Sequence, residues 1–309
     1  MGPEEMLRLA YVANRYYNDN RSRIEIADEL GLSRFKVARM LEEAKERGIV
    51  SITVETPGPV DAHLSLRLKE RFGLRRALVV ATPMENSEVV QQYLGRVAAQ
   101  LLEELVTPGE VVGLTSGRTL TVMARNLGAL ASADIVQLSG VAGSIQSTAV
   151  EVMRRASLVS GGRAYTIYAP LVMSDVDATT VLRRQPEIST TLAQYSRVSL
   201  AMVAVGSWQP PDSELFESRA LDQRTRTMLL QKGVIADVGG LLVARDGRLI
   251  RDLDARTIAA NEEQLRAIPE VIGVAGGRNK TDAVMAALRS GLVNSLVTDS
   301  GLARRLLDE

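Results

Sequence analysis

The sequence predicts an α/β protein in two parts: a small N-terminal helix-turn-helix unit, and a larger domain built on a mostly parallel sheet. Three observations lead there. The chain has 309 residues, which at roughly 100–200 residues per domain asks for two domains. Its first fifty residues carry helical periodicity broken by short polar turns. Beyond Arg75, apolar runs alternate with longer helical stretches, the signature of an α/β sheet. Hydrophobic residues make up 46% of the chain and mean hydropathy is +0.02, as in an ordinary folded protein. No apolar run approaches the roughly 20 residues needed to cross a bilayer.

Taken in order, Met6, Leu9, Tyr11 to Ala13 and Tyr16 recur at helical spacing and predict a first helix from Glu4 to Tyr17. Asn18-Asp19-Asn20 is a turn. Ile24, Ile26, Ala27 and Leu30 form a short second helix closed by Gly31. Ser33 caps a third, Arg34 to Arg47, with Val37, Ala38, Met40, Leu41 and Ala44 facing inward and Gly48 stopping it. Ile49 to Val54 alternates and is β-branched, as a strand would be, until Pro57-Gly58-Pro59 breaks it. The domain boundary therefore falls between 1–57 and 58–309, with Asp61 to Phe72 a helix bridging the parts.

The larger domain offers strands at Ala77–Ala81, Val111–Leu114, Ile135–Leu138, Ala164–Tyr168, Leu200–Val205, Leu241–Val243, Val271–Ala275 and Ser295–Thr298. Helices are expected at Ser87–Val106, Thr119–Leu130, Thr148–Val159, Ile188–Ser196, Thr281–Ser290 and Gly301–Leu307.

Thirty-seven basic residues balance 37 acidic ones, so charge must be read locally. The absence of cysteine excludes disulfides, thiolate catalysis and Cys-based metal sites, and the single histidine, His63, lies in the expected linker. No metal or cofactor is implied. The N-terminus has acids near its start and no uninterrupted apolar core, so it does not read as a secretory signal, and the expected location is the cytoplasm.

The stretch RSRIEIADELGLSRFKVARMLEEAKERG has the layout of a helix-turn-helix, whose second helix enters the major groove by its N-terminal end. Ser33, Arg34, Lys36 and Arg39 occupy that end. Arginine pairs bidentately with guanine, while serine, lysine and the helix terminus hold phosphates. Residues 1–58 carry nine basic and ten acidic side chains, which argues weakly for a helical interaction module instead. The local run of Arg34, Lys36 and Arg39 without an acid favours DNA.

In EVVGLTSGRTLTVMARNL a strand runs through Thr115-Ser116-Gly117-Arg118-Thr119 into a helix, aiming backbone N–H groups and a helix dipole at an anion. An ordinary strand-to-helix connection looks the same. VIGVAGGRNKTDAVMAALRSG repeats the arrangement, with Gly276-Gly277 allowing close approach and Lys280 supplying a point charge. The Walker A spacing is absent from both, so nucleotide hydrolysis is not indicated. For sugar hydroxyls the candidates at strand ends are Gln137, Ser139, Asp175, Asp177 and Asp237. Asp237 stands out in the apolar segment Ala236-Asp237-Val238-Gly239-Gly240, where an unpaired carboxylate would be costly. Asp252 and Asp254 read as surface residues. Trp208 either covers a ligand or packs on a loop.

With these motifs in order, the chain resembles the SorC family of bacterial sugar-binding transcriptional regulators. The likeness runs through GLSRFKVARMLEEAKERGIV, GLTSGRTL, VQLSG, the VGSW loop, GVIADVGG and IPEVIGVAGGRNKTDAVMAALRSGLVNSLVTD. It implies a winged helix-turn-helix joined to a domain related to sugar-phosphate isomerases and glucosamine-phosphate deaminases, assembled as dimers or tetramers. The implied partners are operator DNA and a sugar phosphate or polyol phosphate. Carried over, the phosphate loop falls on Ser116, Gly117, Arg118 and Thr119, the late loop on Gly277 and Lys280, and the acidic sugar ligand on Asp237. Where some members place a cation after the third strand, this chain has Ser139, which rules out a Schiff base there. The rival is a sugar-phosphate isomerase or deaminase, but aldose-ketose interconversion needs a positioned base, often with a histidine. The regulator reading requires both glycine-bearing turns to meet in space.

Overall fold

The computed structural model describes residues 2–51, 58–142 and 149–308. The chain separates into two compact units, Met1–Glu55 and Thr56–Glu309.

In the first unit, α1 (Pro3–Tyr17), α2 (Arg23–Leu30) and α3 (Arg34–Glu46) enclose a core that includes Val12, Ile26, Val37 and Leu41. Ser22 opens α2 with a capping box: its hydroxyl accepts from the Glu25 N–H, and the Glu25 carboxylate accepts from the Ser22 N–H. Gly31, at φ 63°, ends the helix, and the Ser33 hydroxyl caps α3 by accepting from the Lys36 N–H. Tyr11 and Arg15 both reach Glu29, at 2.6 and 2.8 Å, tying α1 to α2. Of the strand expected over Ile49–Val54, and hence of the wing, residues 52–54 lie outside the described residues. Ile49 and Val50 form a bend and pack against the three-helix core.

The second unit begins with α4 (Ala62–Phe72), capped by Asp61, which lays Leu64 and Leu68 against the sheet. His63 is therefore a residue on the exposed side of this helix, not of a linker. There follow β1 (Arg76–Val80), α5 (Ser87–Leu105), β2 (Val111–Leu114), α6 (Arg118–Asn126), β3 (Asp134–Gln137), α7 (Ala149–Ser160), β4 (Ala164–Tyr165), α8 (Val176–Arg183), α9 (Pro186–Ala193), β5 (Leu200–Trp208), β6 (Pro211–Asp212), α10 (Gln223–Gln231), β7 (Val234–Val238), β8 (Leu241–Ala244), β9 (Leu249–Ile250), α11 (Glu262–Ala267), β10 (Glu270–Val274), α12 (Thr281–Ser290), β11 (Ser295–Asp299) and α13 (Ser300–Asp308).

Seven strands form a parallel path in the order β1-β11-β10-β5-β2-β3-β4. Both faces are covered, so the inner strands β2, β10 and β11 are buried at every residue and successive residues serve opposite cores. Val271 faces the layer with α4, α12 and α13; Ile272 and Val274 face the layer with α5, α6 and α7. β5 outruns its parallel neighbours, and its last residues pair antiparallel with β6 and β7, the latter leading to β8 and β9. A third core, with Trp208, Leu229 and Leu242, forms around this extension.

Several elements escape the sequence pattern. In α10, QRTRTMLLQ, only Leu229 is buried, and α8 buries Thr179 while exposing Val176 and Val181. The helix expected to reach Leu130 stops at Asn126, since the backbone turns extended at Leu127, which is itself buried. β7 is continuous through Asp237, the residue that makes the segment look interrupted.

Candidate functional site

β2 is followed by α6 on one face of the sheet and β10 by α12 on the other, so the chain diverges at the carboxyl ends of the strands flanking β5. In open α/β sheets such a divergence leaves a crevice where ligands bind. Here the crevice is lined by both glycine-bearing turns: Ser116, Gly117, Arg118 and Thr119 from one, Gly276 and Lys280 from the other. The two turns, some 160 residues apart in sequence, converge on one cavity of about 70 Å³.

Local bonds fix each wall. The Thr115 N–H donates to the Met202 carbonyl at 3.2 Å while its hydroxyl accepts from the Ala204 N–H at 3.0 Å, locking the end of β2 to β5. The other turn is held by Asp299, a fully buried carboxylate at the end of β11 that accepts from Gly277 N–H at 2.6 Å and Leu302 N–H at 3.0 Å. Lys280 extends under the cleft and donates to the Val205 carbonyl at 2.7 Å. Burial lowers its pKa, against the opposing pull of Asp212, with Arg118 pushing the same way as burial. Arg118 forms an ion pair with Asp212, whose second oxygen lies 3.9 Å from the Lys280 ammonium.

Asp237 is the buried acid of the site. Its Oδ1 accepts from the Ser213 hydroxyl at 2.5 Å and from the Trp208 indole N–H at 2.8 Å. Burial raises its pKa, and the two donors and the Lys280 charge pull it back. Oδ2 receives no hydrogen bond from the described residues. Gly206 faces Asp237 across the β5–β7 pair, and a Cβ there would lie 2.3 Å from Oδ1 and 2.7 Å from the Ser213 side chain. Only glycine leaves room for this arrangement. The cleft thus brings two cations together at Asp212, with the buried acid Asp237 close by.

In the first unit, Ser33, Arg34, Lys36 and Arg39 are all exposed at the start of α3. Arg34, Lys36 and Arg39 form no ion pair among the described residues, whereas Arg15, Arg21 and Arg47 are each matched by acids. Phe35 stands 71% exposed among them, with the Arg34 guanidinium 4.8 Å from its ring centroid. An aromatic ring so exposed beside unpaired cations suits contact with nucleic acid.

The sequence model of the family described as "putative sugar-binding domain" matches residues 60–308. A transcriptional regulator LsrR from Enterobacter sp. (strain 638) is 29% identical over 97% of this chain and 92% of its own length. The LsrR of Escherichia coli O9:H4 (strain HS) is 30% identical over 98% and 94%. The full-length sorbitol operon regulator SorC from Klebsiella pneumoniae shares the fold, with a TM-score of 0.73 at 22% identity over 98% of this chain and 99% of that one. The chain belongs to the SorC family of sugar-binding transcriptional regulators.

Since these relatives are named as regulators, the isomerase reading falls away, and this SorC-family chain is a regulator rather than an enzyme. The cleft of the regulator collects Ser116, Gly117, Arg118, Thr119, Ser139, Asp237 and Lys280. It does not collect the rest. Gly277 lies behind it on Asp299, with Gly276 forming the wall. The Gln137 amide is buried but occupied, donating to the Ser139 carbonyl at 2.7 Å and accepting from the Ile167 N–H at 3.0 Å, and it borders a different cavity. Asp175 caps α8, with Asp177 exposed in that helix's first turn. Trp208 is fully buried, edge-on to Phe216, and serves as a donor to Asp237.

Sequence reasoning missed Asp212, Ser213 and Gln91, all of which line the cleft. Asp212-Ser213 follows Pro210-Pro211, where the pair reads as turn chemistry. The only available signal was position just beyond a long apolar strand. Among the described residues no group of acids and histidines could hold a metal, and no helix is long and apolar enough to cross a membrane.

Proposed function

We propose that this regulator binds operator DNA through residues 1–57, and that a phosphorylated sugar or polyol held by residues 58–309 controls its affinity for that DNA. The observation that carries the reading is the convergence of Arg118 and Lys280, from separate glycine-bearing turns, beside the buried acid Asp237. A phosphate oxygen accepts charge-assisted bonds from such cations. Asp237 Oδ2 accepts from a sugar hydroxyl, and the buried Ser139 supplies a further hydroxyl from the cleft wall. The match of residues 60–308 to a family described as a putative sugar-binding domain supports a sugar as the ligand.

Control requires a second state. The sugar phosphate binds one quaternary arrangement of a cytoplasmic homo-oligomer, a dimer or tetramer, better than another, and only that difference in affinity moves the equilibrium. Residues 58–75 carry the preference to paired helix-turn-helix units, where Arg34 and Arg39 read base edges while Ser33 and Lys36 hold phosphates.

The test is a thermal-shift and calorimetry screen of the full chain against sugars, polyols and their phosphates. Phosphorylated members should raise the melting temperature and their unphosphorylated parents should not. Lys280→Met should abolish the response while DNA binding persists. Unchanged effector affinity in Lys280→Met would overturn the site assignment.

A further inference from the structure

Asp212 occupies the place an effector's anion needs. The β5–β6 hairpin fixes it there, with Asp212 opposite Ser207 and Pro211 opposite Trp208. The Ser207 hydroxyl donates to the Pro210 carbonyl at 2.7 Å, closing the turn between the strands. Only 17% of the Asp212 side chain is accessible. One of its oxygens pairs with Arg118 and the other faces Lys280 at 3.9 Å. A single carboxylate thus engages the cations of both glycine-bearing turns. The cavity that remains, about 70 Å³, is small beside ligand pockets of about 300–1,000 Å³.

We propose that Asp212 is a resident competitor that sets the selectivity of the cleft, admitting ligands that bring a phosphate dianion and refusing neutral sugars and singly charged acids. The inference rests on reading the cleft as the effector site. A carboxylate carries one charge on two oxygens, whereas a phosphate monoester carries about −1.5 to −2 at neutral pH on three. The hairpin delivers Asp212 without the loss of translational freedom that a separate ligand suffers. A free carboxylate therefore offers Arg118 and Lys280 nothing that Asp212 does not already supply. A neutral sugar cannot replace the ion pair at all. A dianion brings more charge and a third acceptor, which strengthens each charge-assisted bond. The β6 end of the hairpin swings out as Asp212 yields its place. The arrangement makes Asp212 a determinant of specificity through competition, a different role from that of a sugar ligand.

Calorimetry on the full-length wild type, Asp212→Asn, Asp212→Ala and Lys280→Met tests this, with inorganic phosphate, acetate and glucose 6-phosphate as probes. Both Asp212 variants should bind inorganic phosphate at least about tenfold tighter than the wild type and should acquire acetate binding. Thermal melts establish that each variant is folded. If folded Asp212 variants bind phosphate no better than the wild type, the competitor role is wrong while the effector site stands. If they lose glucose 6-phosphate and keep phosphate, Asp212 is a sugar ligand and the proposal also fails. If Lys280→Met binds phosphate like the wild type, or no chain binds any probe, the effector reading falls with it.

Discussion

Replacing Ser213 by Ala removes one oxygen from a side chain that is 2% exposed and leaves the packing volume nearly intact, so the loss is polar. The Ser213 hydroxyl donates to Asp237 Oδ1 at 2.5 Å and accepts from the Leu215 and Phe216 N–H groups at 3.1 and 3.2 Å. A hydrogen bond to a charged group is worth about 1.5–3 kcal/mol, and a buried amide left without a partner costs about 1–3 kcal/mol more. Together these destabilise the unit by about 2.5–6 kcal/mol. At about 2–4 °C per kcal/mol for a domain of this size, the melting temperature falls by about 5 °C or more. The assay is intrinsic fluorescence, because Trp208 is the chain's only tryptophan, is fully buried and donates to the same carboxylate. With tryptophan excited selectively, so that Tyr11, Tyr16 and Tyr17 of the three-helix unit stay dark, the signal follows the larger unit. With one donor gone, burial raises the Asp237 carboxyl further and effector binding weakens. A fall below about 2 °C, in a protein with wild-type near-ultraviolet dichroism, would refute the claim that Ser213 anchors the buried acid.

Other outcomes follow from the same geometry. Asp237→Asn keeps an Oδ1 acceptor for Ser213 and Trp208 but removes the buried charge; since burial raises the folded pKa above the usual 3.8, the wild type loses stability as pH rises through that interval. The Asn variant should therefore melt above the wild type at neutral pH, with the gain vanishing below about pH 4, and a lower melt at pH 7 would contradict this. Gly276→Ala places a Cβ 2.5 Å from Asp299 Oδ2, 2.6 Å from Leu94 Cδ1 and 2.8 Å from Val90 Cγ1, a clash worth about 1–3 kcal/mol. Calorimetry should also find weaker phosphate binding, because the turn carrying Lys280 shifts. In DNA titrations, Arg34→Ala should cost about 1–3 kcal/mol at the preferred sequence, while Lys36→Ala should flatten the log K against log salt slope by about 0.9. An unchanged slope would remove Lys36 from the phosphate contacts.

Much of the fold was legible because it is written in local chemistry. Gly31 and Ser33 mark helix ends by satisfying or terminating backbone hydrogen bonds within a few residues, and α2 ends and α3 begins where they say. β2 and α12 fall on their expected bounds, and most other strands within a residue or two. The elements that escaped, α8 and α10 among them, bury so few apolar side chains that no periodic stripe betrays them. The glycine-bearing turns, Lys280, Arg118 and Asp237 were visible as the wrong residues for their neighbourhoods: glycines and charges at the ends of apolar runs.

The sequence alone determined the helix-turn-helix layout, the alternating α/β order and the chemistry available to an anion site, since each depends on contacts a few residues apart. Tertiary structure decided which of those groups meet. Lys280 and Arg118 come to the same carboxylate because the chain departs to opposite faces of the sheet around β5. Gln137 is excluded because its amide is consumed by neighbouring backbone. Asp212 enters because the end of β5 folds back on itself and carries a turn residue onto two cations. Pairings across such distances depend on sheet order and register, which residue spacing along the chain does not encode.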